Sequence, residues 1–324
     1  MSTRQTPSEA PTAEWVVGAG AAEPSGSPPR RGSTARAGSA GGPSAAWALR
    51  AALACVLGLG LTWVVAALVP VTQTRDARAL YDFTQLSRPR LDSAANALLH
   101  GLDPLDYTIW ASLLVGVALL RMRPRLALAV ACVLPLAPLT AETLKPLLAH
   151  SHDKIGWTNV VEASWPSGHS TAAMTLALCA VLVVPARLRP TVAALGALFA
   201  VAVGFSLLLL AWHMPSDVFG GYLVAALWVS LAVAALRMAD ARWPRRSGRR
   251  RVGRAAHALR AGEGMAIPLM LAGGIAALGA TAVLLRPHRV EAFASDHPSL
   301  LVAALGIAAL AVLISGALTA ALRR

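Results

Sequence analysis

The chain has 324 residues, 56% of them hydrophobic and 14% charged, with a mean hydropathy of +0.57 and a formal net charge of +13. That balance excludes a soluble globule. In a soluble chain the basic excess would suggest nucleic acid. Here the arginines stand mostly between apolar runs, where they set membrane topology, so nucleic-acid binding is set aside.

Residues 1–44 are rich in Pro, Gly, Ser, Ala and Arg and show no apolar periodicity, which predicts a disordered tail. Arg30-Arg31 invites a twin-arginine export reading. The apolar run that follows starts well downstream and is too long for a signal segment, so it reads as a retained anchor. Apolar runs predict membrane spans at about 46–70, 105–121, 126–144, 167–185, 191–211, 215–236, 266–285 and 299–321. Between the first two lies a mixed-charge segment, 71–104, with Arg75, Asp76, Asp82, Arg88, Arg90, Asp92 and Asp103, expected to hold one short amphipathic helix at the interface. The resulting organisation is a tail (1–44), a six-span membrane domain (45–237), a strongly basic loop (238–264) and two additional transmembrane helices (265–324). No internal repeat is evident. The fold class is therefore all-α, a polytopic membrane helical bundle. Cys55, Cys132 and Cys179 all fall inside predicted spans at spacings that fit no metal knuckle, and read as small apolar residues.

Topology can be checked independently of the span assignment. With the N-terminus in the cytoplasm, the inside segments are 121–125, 186–190, 237–264 and the last two residues, and each is arginine-rich, as the positive-inside rule requires. His100, His150, His152, His169, His213, His288 and His297 fall on the opposite side, and His257 alone falls inside. The histidine cluster is thus expected on the outer face of a multi-pass plasma membrane protein.

The polar residues between Lys145 and Asp217 carry the chemistry. The chain has 29 Lys plus Arg, yet only Lys145 and Lys154 are lysine, and both lie in this stretch. Span four begins at Ser167-Gly168-His169, and a helix N-terminus with unpaired N–H groups is an anion site that Gly168 lets a ligand approach closely. Lys145, from the end of span three, can add a full charge. His213 and Asp217 are four residues apart, so the carboxylate can accept the imidazole Nδ1–H and fix its tautomer. Such a histidine is a nucleophile toward phosphorus, and His169 can protonate the departing alkoxide.

These residues resemble a known family. Pro166-Ser167-Gly168-His169 followed by His213-x3-Asp217 is similar to the type-2 phosphatidic-acid phosphatases, integral-membrane lipid phosphatases, over about residues 46–237. The resemblance implies a six-helix phosphatase core, here with two extra C-terminal helices. It also implies hydrolysis of a lipid phosphate or diphosphate through a phosphohistidine. By the same resemblance, Lys145, Ser167 and Gly168 would bind phosphate, His169 would be the general acid, His213 the nucleophile and Asp217 its partner, with no metal or other cofactor. The partners would be a lipid phosphate and membrane lipids, with a homo-oligomer left open.

Two positions depart from the family pattern of Lys-x6-Arg-Pro and Ser-Arg-x5-His-x3-Asp. His152-Asp153 stands where Arg-Pro is expected, and Leu207 follows Ser206 where the second arginine should be. A lost donor to a developing charge costs about 3–4 kcal/mol, roughly 10²–10³ in rate. His152 and Ser206 are the candidates for the vacated phosphate contacts, with Lys154 as a further source of charge. If His152 substitutes for arginine, turnover is expected to rise as pH drops below about 7.

Competing readings remain. His150, His152 and Asp153 would make a metal site with His169 or His213. Trp157, Trp165 and Trp212 read as an interfacial belt, and Ser206 reads equally as a satisfied helix hydroxyl. The absent arginines favour an inactive descendant that only binds a lipid phosphate, and the two extra spans favour a transporter or scaffold.

Overall fold

The computed structural model describes residues 45–243 and 287–323, and the described residues form helices and connecting turns only. In chain order the helices are α1 (Ala45–Leu68), α2 (Pro70–Thr84), α3 (Pro89–His100), α4 (Pro104–Leu120), α5 (Pro124–Leu147), α6 (Gly168–Val183), α7 (Arg189–Leu209), α8 (Pro215–Arg242), α9 (Pro287–Asp296) and α10 (Pro298–Arg323). Short 3-10 turns precede α6 (Glu162–Ser164) and α7 (Ala186–Leu188). Proline opens α2, α3, α4, α5 and α8. Its fixed φ suits the first turn, and its missing N–H is one that a helix start leaves unpaired anyway.

Among the described residues six helices are long and apolar enough to cross a membrane: α1, α5, α6 and α7 with their preceding turns, α8 and α10. The chain is a multi-pass membrane protein. The expected span at 105–121 is α4, only 17 residues long. It reaches spanning length only together with α3, from which it is bent by 59°. Gly101 and Pro104 mark the break, since proline cannot supply the N–H that would continue α3. The segment 71–104 holds two helices, α2 and α3, where one was expected. The expected span at 266–285, the tail 1–44 and the basic loop beyond residue 243 lie outside the described residues. α8 runs on to Arg242, past the expected end, and Asp240 near its end pairs with Arg125 at 3.1 Å.

α6 is the centre of the bundle. Every residue from Ser170 to Val183 except Ala180 is buried, which explains why it is apolar all round rather than amphipathic. It packs against α5, α7 and α8, while α1 lies along α8 and α10 along α7, α2 and α8. Polar side chains between helices find partners, as a lipid environment demands. Tyr222 Oη donates to the Ala200 carbonyl at 2.6 Å, Tyr107 Oη to that of Leu134 at 2.7 Å, and Trp228 Nε1 to Thr140 Oγ1 at 2.9 Å.

The contact that positions the site is the approach of α8 to the start of α6. A Cβ on Gly220 would come within 2.8 Å of the Trp165 indole, and one on Gly221 would collide with Ser170 Oγ and lie 2.7 Å from the Ser167 carbonyl oxygen. Trp165 is accordingly buried at 1% exposure. It packs inside the bundle rather than in an interfacial belt, a correction to the sequence reading that follows from two adjacent glycines making room for an indole. Gly221→Ala should destabilise the bundle by about 1–3 kcal/mol through overpacking. The expected outcome is a lower unfolding midpoint in detergent, and an unchanged midpoint would mean that α6 and α8 are free to separate.

Candidate active site

Ser167 caps α6: its extended backbone turns the chain into the helix, and its Oγ accepts the Ser170 N–H at 3.4 Å. The N–H groups of Gly168 and His169 belong to the first turn, where no carbonyl of the helix can reach them. The end of α5 lies over this turn. Lys145 Nζ stands 3.6 Å from where a Gly168 Cβ would be, and Glu142 Oε1 stands closer still. A side chain at 168 would enter the space between the amides and the lysine and displace the Glu142 carboxylate.

His213 and Asp217 meet as their spacing predicted. His213 Nδ1 is 3.1 Å from Asp217 Oδ2, and the same oxygen accepts the Met214 N–H at 3.0 Å. Asp217 is fully buried and His213 nearly so. A carboxylate only accepts, so the imidazole proton sits on Nδ1 and the Nε2 lone pair is free for bonding. The two halves of the site are joined through the backbone, the Ser167 N–H donating to the Asp217 carbonyl at 3.0 Å. His169 sits edge-on to Trp212, ring centroids 5.8 Å apart, with His213, Lys145, Glu142 and Asp103 among its charged neighbours. Lys145, Ser167, Gly168, His169, His213 and Asp217 therefore share one end of the bundle.

The two substitutes for the absent arginines differ in their surroundings. His152 is half-buried, its Nε2 3.1 Å from Ser164 Oγ and its ring 4.5 Å from that of His150. Burial holds its pKa below the ordinary histidine range, against the opposing pull of Asp217. Ser206 Oγ donates to the Ala202 carbonyl of its own helix at 2.9 Å, and Leu207 is fully buried in the apolar core. Lys154 is exposed in the loop before α6. Among the described residues no three His, Cys, Asp or Glu side chains are grouped to hold a metal ion, and Asp153 accepts from Thr74 Oγ1 at 2.7 Å instead.

A cavity of about 850 Å³ runs from this cluster between α4 and α5. Lys145, Gly168 and His169 line its polar end, and Tyr107, Ala111 and Leu119 mark its course along α4. Its lining is mostly apolar along α4 and α5 and polar where it meets the start of α6.

Three residues of the site escaped sequence reasoning. Glu142 pairs with Lys145 at 2.7 Å, and its i,i+3 spacing was a legible signal. Ser164 lies beside the Asp217 carboxylate. Asp76 on α2 accepts from Ser216, the second residue of α8, and nothing local in the sequence points across 140 positions.

Residues 125–241 match the PAP2 superfamily, which bears out the resemblance carried by the two motifs. The chain is also similar to a solved structure titled as the first transmembrane PAP2 type phosphatidylglycerolphosphate phosphatase from Bacillus subtilis. That similarity is at 19% identity with a TM-score of 0.48, covering 60% of this chain and 98% of that one. No curated protein matches the chain.

Glu142 lies where an incoming oxyanion would contact Lys145. Glu142→Gln should therefore tighten binding of inorganic phosphate by about two- to fivefold, the range of a partly exposed ion pair. Titration followed by ³¹P NMR on the purified chain checks this, and unchanged affinity would mean that the carboxylate swings clear at no cost.

Proposed function

We propose that this protein is a membrane lipid phosphatase that hydrolyses a phosphate or diphosphate headgroup through a phosphohistidine on His213, at the outer face of the plasma membrane. The observation that carries this reading is the junction of the α6 N-terminus with the His213–Asp217 pair through the Ser167–Asp217 backbone bond. The PAP2 superfamily match over 125–241 supports a lipid phosphatase in general. Arginine-rich segments at the opposite end of the bundle support an outward-facing site.

In the proposed reaction, Lys145 and the first-turn amides of α6 hold the non-bridging oxygens. His213 Nε2 attacks phosphorus in line with the ester oxygen; the N–P bond forms as the P–O bond to the lipid breaks. His169 gives its proton to the departing oxygen, so that a monophosphate ester leaves as the lipid alcohol and a diphosphate as the lipid monophosphate. Water then attacks the phosphohistidine and passes a proton to His169, and the N–P bond breaks to release inorganic phosphate. Asp217 keeps the His213 Nδ1–H oriented and offsets the positive charge of the phosphorylated ring. The slot between α4 and α5 would take the apolar chain.

A second reading has its own support. Lys145 is paired with Glu142 and Leu207 is buried in apolar surroundings, leaving the cradle with less free positive charge than the family pattern implies. Such a site would hold a lipid phosphate without turning it over.

One assay separates the two: phosphate release by the purified chain from a panel of lipid phosphates. On the phosphatase reading His169→Ala loses about 10²–10⁴-fold, the usual contribution of a general acid, and His213→Ala falls to background. Equal release by His213→Ala would overturn the reading, and binding without release would favour the second. Because burial depresses the His152 pKa, its charge appears only below the ordinary histidine range. The acid rise in turnover expected from the sequence therefore moves to lower pH. His152→Arg should flatten it, and an unaltered profile would remove His152 from the phosphate contacts.

A further inference from the structure

α2 lies outside the segment that matches the superfamily, yet it touches the site at two points. Thr74 holds Asp153, the neighbour of His152, at 2.7 Å. Two residues on, Asp76 reaches the start of α8: Ser216 Oγ donates to Asp76 Oδ2 at 2.6 Å, and the Ser216 N–H donates to Oδ1 at 3.2 Å. Ser216 is the second residue of α8, so its N–H is one that the helix itself cannot satisfy. The next residue is Asp217, whose carboxylate orients His213. Two carboxylates thus cap one helix start. Asp217 caps from within through the Met214 N–H, and Asp76 caps from another helix.

We propose that Asp76 is a positioning residue of the active site, which through Ser216 fixes the first turn of α8 and with it the aim of Asp217 at His213. A helix start held only by its own residues is free to fray. A bond from a helix anchored elsewhere removes that freedom. α2 is suited to be the anchor, because its Leu80 and Phe83 are buried and Phe83 packs on Phe205 of α7 with centroids 5.4 Å apart. Unlike a generic cap, Asp76 engages both the amide and the hydroxyl of one residue, which fixes direction as well as distance.

Asp76 also answers to pH. Burial pushes its carboxyl up to about 7, the two Ser216 bonds oppose that rise, and Asp217 adds to it. Asp217 on α8 is the charged group that acts on Asp76 from an element packed against α2; Arg75 and Arg78, on its own helix, are exposed. Ionised, Asp76 accepts from both Ser216 donors. Protonated, it gives up acceptor strength, and the clamp loosens as pH falls through about 7.

The kinetic consequence rests on the phosphatase reading, so the test pairs turnover with a measurement that needs none. Asp76→Ala, Asp76→Asn and Ser216→Ala are compared with the natural chain in detergent, the last as the gentlest change should Asp76→Ala fail to fold. Displacing the dyad without touching the cradle should lower kcat about 10–100-fold in Asp76→Ala, with KM within about twofold. Asp76→Asn, which keeps an acceptor for Ser216, should recover most of that loss and abolish the change in kcat near pH 7. In parallel, ¹⁵N NMR of labelled histidine reads the His213 Nδ1–H, which should shift in all three variants. No phosphate release by the natural chain, together with a shifted His213 signal in the variants, would sink the phosphatase reading and uphold the positioning role. Turnover with neither a fall in kcat nor a shifted His213 signal would overturn the positioning role alone.

Discussion

The 3.0 Å hydrogen bond from the Ser167 amide to the Asp217 carbonyl couples the two halves of the site, and most of the bundle can be read as what permits it. It requires the capping residue of α6 and the first turn of α8 to touch backbone to backbone. Side chains hold ordinary helices about 8–10 Å apart, so this contact exists only where they are missing, at Gly220 and Gly221. The start of α6 and the His213–Asp217 pair are thereby brought to one end of the bundle, and Lys145 reaches the same end from α5, which packs on both α6 and α8.

The electrostatics of the pocket differ from the family pattern in kind as well as in amount. An arginine supplies a permanent charge and a planar fork that matches two oxygens at once. His152 supplies neither above the pH at which it titrates, and its burial lowers that pH further. Leu207 supplies nothing, being packed in the core. Permanent positive charge at the cradle thus rests on one lysine that already has a carboxylate partner. On the proposed function, the backbone N–H groups would carry a larger share of anion recognition than the family pattern assigns them.

How much of this was legible in the sequence follows from how local each cause is. The α6 cradle is written within Pro166–His169, and the dyad within one helical turn, so residue types and spacing sufficed. Among the described residues Arg123, Arg189 and Arg237 gather at one end of the bundle, a grouping their places between apolar runs made legible. What failed to show depends on contacts between distant segments. Nothing near Trp165 says that two glycines on α8 will receive it, and nothing near Asp76 says that it will cap α8 across 140 positions. The boundary at Pro104 was legible, since the expected span begins at 105; what counting apolar residues could not show is that α4 is too short to cross alone and continues a bent α3.

The glycine contact between α6 and α8 has a consequence for selectivity. Because that junction is a close-packed part of the core, the position of the α6 N-terminus relative to the His213–Asp217 pair is set when the chain folds, which on the proposed function would leave a ligand little to organise on arrival. Discrimination by induced fit needs a site that the correct ligand completes. On the proposed function, that fixed junction would leave the choice among molecules carrying the same phosphate to the apolar cavity between α4 and α5, once the Lys145–Glu142 pair opens.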